Sequence, residues 1–139
     1  EAIEIHYDPS KISYNDLLEV LWRNIDPTDV NGQFIDRGKQ YRPAIFYHNK
    51  DQKKLAEKSR DRLEKSKRFK NKIETTIIKA NTFYAAEEYH QDFYKKSTVR
   101  YKIYRVGSGR DQFLKKYWGD NLEYKVTKIT KKKQPIPLR

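Results

Sequence analysis

SYNDLLEVLWRNI, Ser13 to Ile25, sets the frame in which the rest of this chain can be read. Tyr14, Leu17, Leu18, Leu21, Trp22 and Ile25 recur at three- and four-residue spacing, which lines them along one face of a helix. Ser13 followed three positions later by Asp16 is a capping-box pattern, in which each side chain satisfies a backbone N–H left without a partner by the first helical turn. Asp26-Pro27 closes the helix, because proline pushes the preceding residue away from helical dihedrals. Upstream, Ala2 to Tyr7 sets Ile3, Ile5 and Tyr7 against Glu4 and His6, the two-residue period of a half-buried strand stopped by Asp8-Pro9.

Downstream, Thr28 to Gln40 holds turn residues, Gly32 and Gly38, and few core candidates, so it reads as a loop. Ala44 to Tyr47 predicts a short buried strand. Asp51 to Phe69 is rich in helix formers, with Asp61/Lys65 and Glu64/Arg68 at supporting spacing. Its apolar stripe of Leu55 and Leu63 is thin, so it should cover a sheet from the surface. Ile73 to Ile78 is β-branched and alternating, a further strand. Ala86, Tyr89, His90, Phe93 and Tyr94 fall at helical spacing, and Phe113, Leu114, Tyr117 and Trp118 predict a short helix closed by Gly119. From Asp120 the chain turns lysine-rich and reaches Pro135 and Pro137, which predicts a mobile basic tail over 120–139 with an edge strand at Leu122 to Thr127. Strands and helices alternating in this order predict the α+β class, as a two-layer α/β sandwich.

The chain has 139 residues, enough for one domain with a core that needs no disulfide or metal. It has no cysteine, which excludes a disulfide framework and a thiolate metal site and is compatible with a reducing compartment; a cytoplasmic location is expected. No run approaches the roughly 18 apolar residues of a membrane span. A net charge of +12 with eleven tyrosines raises nucleic-acid binding as a reading. The cations at Lys53, Lys54, Lys58, Arg60, Arg62 and Lys65 are interleaved with Asp51, Glu57, Asp61 and Glu64, the pattern of a solvated helix face.

Three stretches together resemble the A-type peptide methionine sulfoxide reductases: EAIEIHYDP at Glu1 to Pro9, NGQFIDRGKQYRPAIFY at Asn31 to Tyr47, and YAAEEYHQDFY at Tyr84 to Tyr94. The resemblance implies a ferredoxin-like core with a long irregular wrap. It covers residues 1–119 as a reductase-like domain whose N-terminal part is missing, followed by the basic tail at 120–139. The family works through a cysteine in a Gly-Cys-Phe-Trp segment that its pattern places before the point where this chain begins. Glu1 in place of an initiating methionine agrees with a piece of a longer product, the C-terminal two-thirds of such an enzyme. The resemblance therefore implies a peptide-methionine (S)-S-oxide reductase that repairs oxidised methionine in proteins, with this cysteine-free chain inactive by itself. It implies thioredoxin or another thiol as reductant, no metal or organic cofactor, methionine-sulfoxide proteins as partners, no membrane, and a monomer.

Reducing a sulfoxide needs a nucleophile for sulfur and donors for the oxygen as negative charge grows on it. In the family a glutamate and a tyrosine in a Gln-Tyr-Arg segment are those donors, with an aspartate a few residues before the tyrosine. Gln40-Tyr41-Arg42 is intact here, with Asp36 five positions before Tyr41 and Gly38 between them. By resemblance Tyr41 becomes an oxygen donor, Asp36 a site residue, and Gly38 and Gln40 part of the substrate surface. Glu1 carries over on Glu-Ala and the following Ile-Glu-Ile, although the family's Gly-His-Ala before it is absent. His90, expected on an apolar helix face, is a candidate support for substrate. Glu87, Glu88, His90 and Asp92 would spread around that helix, which argues against a metal site. Ile35, Pro43 and Ala85 stand where many relatives have cysteine, serine and proline. Two other readings compete: a non-catalytic relative that binds sulfoxide or unfolded peptides, and a basic nucleic-acid-binding module whose affinity would fall steeply with salt.

Overall fold

The structure is a computed structural model that describes residues 1–126. Helix α1, Tyr14–Trp22, begins at the expected capping box: the Asp16 amide donates to Ser13 Oγ at 3.0 Å, and the Ser13 amide donates back to Asp16 Oδ2 at 2.9 Å. It ends one turn before Asp26-Pro27, where the Asn24 amide and side chain take up the Leu21 and Val20 carbonyls. Buried Pro27 serves a different purpose, its carbonyl receiving the Glu74 amide at 2.8 Å and Thr75 Oγ1 at 3.1 Å.

The loop that follows contains a small antiparallel hairpin, β1 Gly32–Gln33 and β2 Asp36–Arg37, and a 3-10 turn at Lys39–Tyr41. Strand β3, Ala44–Tyr47, is where the sequence put it, and α2 spans Lys50–Lys65, capped by Asn49. Strand β4, Thr76–Lys79, runs parallel to β3 with Ala44 opposite Thr76 and Tyr47 opposite Lys79. Two parallel strands need a crossover, and α2 provides it. The expected strand therefore starts three residues later than Ile73, which instead turns its amide to Glu64 Oε2 at 2.7 Å.

Helix α2 lies against β3 and β4, and α1 packs on α2. The class is α+β, with helices layered on a sheet; the ferredoxin-like core that the resemblance implies would pair neighbouring strands antiparallel, whereas β3 and β4 pair in parallel through their crossover helix. Leu18, Trp22, Ile45, Ala56 and Leu63 meet between the layers. The buried face of α2 is made of Ala56, Ser59 and Leu63, with Leu55 only half-buried. Small residues there let α1 approach closely, and Ser59 accepts the Trp22 indole N–H at 2.9 Å.

Three expected elements do not form among the described residues. Residues 1–8 form no strand, and Ile3 is 83 % exposed: alternation makes a strand only where another strand can take its hydrogen bonds, and none of the described strands runs beside it. The helix expected around Ala86 to Tyr94 is replaced by extended chain, a 3-10 turn at Glu88–His90, and the four-residue α3, Phe93–Lys96. Residues 81–92 are all exposed, so the apolar spacing there finds nothing to pack on. A helix the sequence reading did not mark, α4 Thr98–Gly107, comes next, then the expected α5, Arg110–Trp118, ended by Gly119 at φ 50°.

Helix α5 joins the core through Leu114 and Trp118. Trp118 lies between two guanidinium groups, Arg23 4.2 Å and Arg68 4.4 Å from its ring centre. Phe69 stacks on Tyr117 at 4.9 Å and Phe113 lies tilted against Tyr117 at 4.7 Å, carrying an aromatic row outward to Phe34 at the hairpin tip. No strand forms over 122–126; Leu122 packs on the core and the Tyr124 hydroxyl donates to Asp16 Oδ1 at 2.7 Å. Residue 127, the last of the expected edge strand, and the rest of the tail lie outside the described residues. Among the described residues no helix is long and apolar enough to cross a membrane.

Candidate active site on the hairpin and the 3-10 turn

The hairpin is held from its base. Buried Gln33 donates to the Asp26 carbonyl at 2.7 Å and accepts the Asp26 amide at 3.0 Å, which ties β1 to the end of the α1 connection. Arg37 pairs with both oxygens of Asp29, and the hydrogen bond holds the Asp29 carboxyl below its usual range. Gly38 donates to the Asn31 carbonyl at 2.7 Å. At Gly32 the chains pass so closely that a Cβ would overlap the Asp36 carbonyl oxygen. This is why a glycine is needed there.

Two residues, Phe34 and Ile35, connect the strands. Phe34 adopts φ 53°, a left-handed conformation uncommon for a bulky side chain. Its ring compensates by packing edge-on to Phe113 at 5.5 Å, with the Arg110 guanidinium 4.6 Å above it. Ile35 at the tip is exposed.

This frame fixes Asp36 on β2, Gly38 at the entry to the 3-10 turn, and Gln40 and half-buried Tyr41 within it. Gly38 has φ 129°, a conformation L side chains rarely adopt, and it lets the chain fold back so that the Tyr41 amide reaches the Gly38 carbonyl at 3.1 Å. Glu1 joins the group from the far end of the sequence, its ammonium donating to the Gln40 carbonyl at 2.6 Å. Glu1, Gln40, Arg42, Ala44 and Phe46 line a cleft of about 160 Å³. Of the six residues named from the sequence, Glu1 and Gln40 line this cleft, and Asp36, Gly38 and Tyr41 lie on the adjoining β2 and 3-10 turn. His90 does not join them: it lies on the exposed 3-10 turn, its ring against Tyr89 at 4.3 Å, and not on an apolar helix face.

The structure adds Tyr104, which sequence reasoning missed. Its hydroxyl donates to Asp36 Oδ2 across 68 positions of sequence. Burial, then the hydrogen bond to Asp36, push its phenol up to about 12, and the charge of Glu1 acts in the same direction. Arg110, which donates to the Asn24 carbonyl, is lowered by burial and by Arg105. No local pattern could have paired Tyr104 with Asp36; the only available signal was its place beside the aromatic and basic residues of the same segment.

Among the described residues no group of histidines and carboxylates is arranged to hold a metal. What these residues offer is a phenol and an amide side chain that can donate to a polarised oxygen, and carboxylates that can accept from a peptide N–H.

A family model described as peptide methionine sulfoxide reductase matches residues 1–122. The protein named Peptide methionine sulfoxide reductase MsrA in Bacillus licheniformis is 56% identical over 119 residues, which are 86% of this chain and 66% of that protein. The protein of the same name in Listeria monocytogenes serotype 4a is 57% identical over 118 residues, 85% of this chain and 67% of that one. Among solved structures, Mxr1 from Saccharomyces cerevisiae in reduced form is similar with a TM-score of 0.63 at 35% identity, over 67% of this chain and 50% of that one. This chain therefore spans about two thirds of the length of the curated relatives and half of the yeast protein. With the family model matched from residue 1 to 122, across the hairpin and the 3-10 turn, the chain belongs to the peptide methionine sulfoxide reductase family.

Proposed function

We propose that this chain supplies the oxygen-binding and peptide-binding side of a peptide-methionine (S)-S-oxide reductase, the activity that returns oxidised methionine in proteins to methionine. The observation that supports this most is that Glu1, across 39 positions of sequence, is tied to Gln40 in the turn that carries Tyr41 and follows Asp36, in a chain of this family. Tyr41 donates to the sulfoxide oxygen, the protonated carboxyl form of Glu1 is the second donor, and Asp36, Gly38 and Gln40 meet the peptide. His90, exposed on the following segment, supports the peptide outside the cleft.

In the reaction two electrons from a cysteine sulfur reduce the sulfoxide sulfur as its bond to oxygen breaks. The cysteine becomes a sulfenic acid, a second thiol condenses with it and releases water, and thioredoxin or another thiol reduces the disulfide. The chain holds no cysteine, so that nucleophile is not among its residues and the chain alone binds without turnover. No metal takes part. The protein works as a cytoplasmic monomer on methionine-sulfoxide-bearing proteins.

The test is a titration of the isotope-labelled chain with the S and R epimers of N-acetyl-methionine sulfoxide N-methylamide, followed by NMR. Preferential binding of the S epimer, with shifts at Asp36, Gln40 and Tyr41, is expected, and Tyr41→Phe should weaken it about fivefold, the value of roughly one hydrogen bond. A Tyr41→Phe chain that binds as well as its parent would remove the donor role. Sulfoxide reduction by the cysteine-free chain would remove the mechanism.

A further inference from the structure

Helix α4 is held in an unusual way. Its apolar residues Val99, Ile103 and Val106 are 71%, 68% and 62% exposed, and none of its residues is fully buried. Apolar burial therefore does not decide where it docks. Polar and aromatic contacts do, and they converge on the hairpin tip. Tyr104 reaches Asp36; just past the helix, Arg110 lies over Phe34 and donates to the Asn24 carbonyl, and Phe113 meets the Phe34 edge. The elbow is braced from within, with Arg105 bonded to Asp111 Oδ1 at 2.7 Å and to the Tyr101 hydroxyl at 3.1 Å.

A carboxylate on a two-residue strand is free to rotate unless something fixes it. Tyr104 occupies Oδ2, and among the described residues nothing donates to Oδ1. The phenol thus sets the orientation of the carboxylate and leaves one oxygen as an acceptor for a ligand.

We propose that Tyr104 is a positioning residue of the sulfoxide site: by holding Asp36 Oδ2, the α4 phenol fixes the carboxylate that meets the peptide substrate. The proposal rests on the reading of Asp36 as a site residue given above. It assigns α4 a task that apolar packing alone would not require, since a helix docked only for stability would bring no hydroxyl to this oxygen.

A double-mutant cycle on the full chain tests it, with parent, Tyr104→Phe, Asp36→Ala and the double variant titrated with N-acetyl-methionine-(S)-sulfoxide N-methylamide. Tyr104→Phe should weaken binding about fivefold, the effect of losing one hydrogen bond, and should cause no further loss once Asp36 is alanine. Equal losses in both backgrounds would overturn the assignment. A parent that binds no sulfoxide would sink the functional reading itself and Tyr104 with it, so the two failures are distinguishable. Should Tyr104→Phe fail to fold, the Tyr104 phenol, followed by carbon NMR in the parent and in Asp36→Asn, decides instead. Its titration near 12 in the parent should move toward that of an ordinary tyrosine in the variant, and an unchanged titration would refute the contact.

Discussion

Replacing Asp16 by alanine should destabilise the fold by about 2.5 kcal/mol, an effect larger than a helix cap on a surface would give. Asp16 is 1% exposed. Its Oδ2 accepts the Ser13 amide at 2.9 Å and the Ser13 hydroxyl at 2.7 Å, and its Oδ1 accepts the Tyr124 hydroxyl at 2.7 Å. Loss of the cap contributes about 1 kcal/mol. Loss of a hydrogen bond from Tyr124 to a charged acceptor contributes about 1.5–3 kcal/mol, and the lower end applies because the pair is only part-buried. Urea unfolding followed by circular dichroism reads the change directly; with a slope of about 1.5 kcal/mol per molar, the midpoint should fall by about 2 M. Tyr124→Phe isolates the tie to the C-terminal segment and should give about 1.5 kcal/mol. If Asp16→Ala lowers stability by less than about 1 kcal/mol, the residue does not join the two ends of the fold as argued.

Gly32→Ala places a Cβ onto the Asp36 carbonyl oxygen and 3.0 Å from Arg37 Cα. The hairpin should open at a cost of about 1–3 kcal/mol, seen as lost amide protection at Gln33 and Asp36, whereas retained protection would contradict the close approach. Stability should also fall in alkali. Tyr104 is raised to about 12, first by burial and then by Asp36, so the folded state favours the neutral phenol. That contribution is complete below the ordinary tyrosine value of about 10 and is lost as pH rises through the folded value. Tyr14, raised by burial, adds to the same loss. A denaturation series over this window should show a shallower decline in Tyr104→Phe than in the parent, and identical slopes would exclude the assignment.

What the sequence could tell depended on how local each cause is. The Ser13/Asp16 box, the Ala44–Tyr47 strand and the α5 stop at Gly119 rest on neighbours within a few residues, and each lies where it was expected. The chain's opening stretch has an equally clean alternation, yet a strand is a relation between two segments and its pattern says nothing of the second. The spacing at Ala86 to Tyr94 misled for the related reason that apolar periodicity assumes a surface to cover. Thr98–Gly107 was missed because its apolar residues face outward and its docking depends on Tyr104 and on Arg110 just beyond it. Asp36, Gly38, Gln40 and Tyr41 lie near one another because β2 leads straight into the 3-10 turn, a proximity that sequence spacing already implies. Glu1 joins them through a backbone carbonyl and Tyr104 through a pairing 68 residues apart, and neither leaves a mark in local spacing.

The two tryptophans sit in opposite electrical settings. Trp22 has its indole N–H on a buried serine inside an apolar layer, while Trp118 is faced by Arg23 and Arg68. Cations above a ring alter the energy of its excited state, so the two indoles should emit at different wavelengths and respond to different events. One reports the α1–α2 interface. The other reports whether the last helix is seated on it. A chain containing a single tryptophan at either place would therefore show, by light alone and without any added label, whether the two halves of the core loosen together or in sequence.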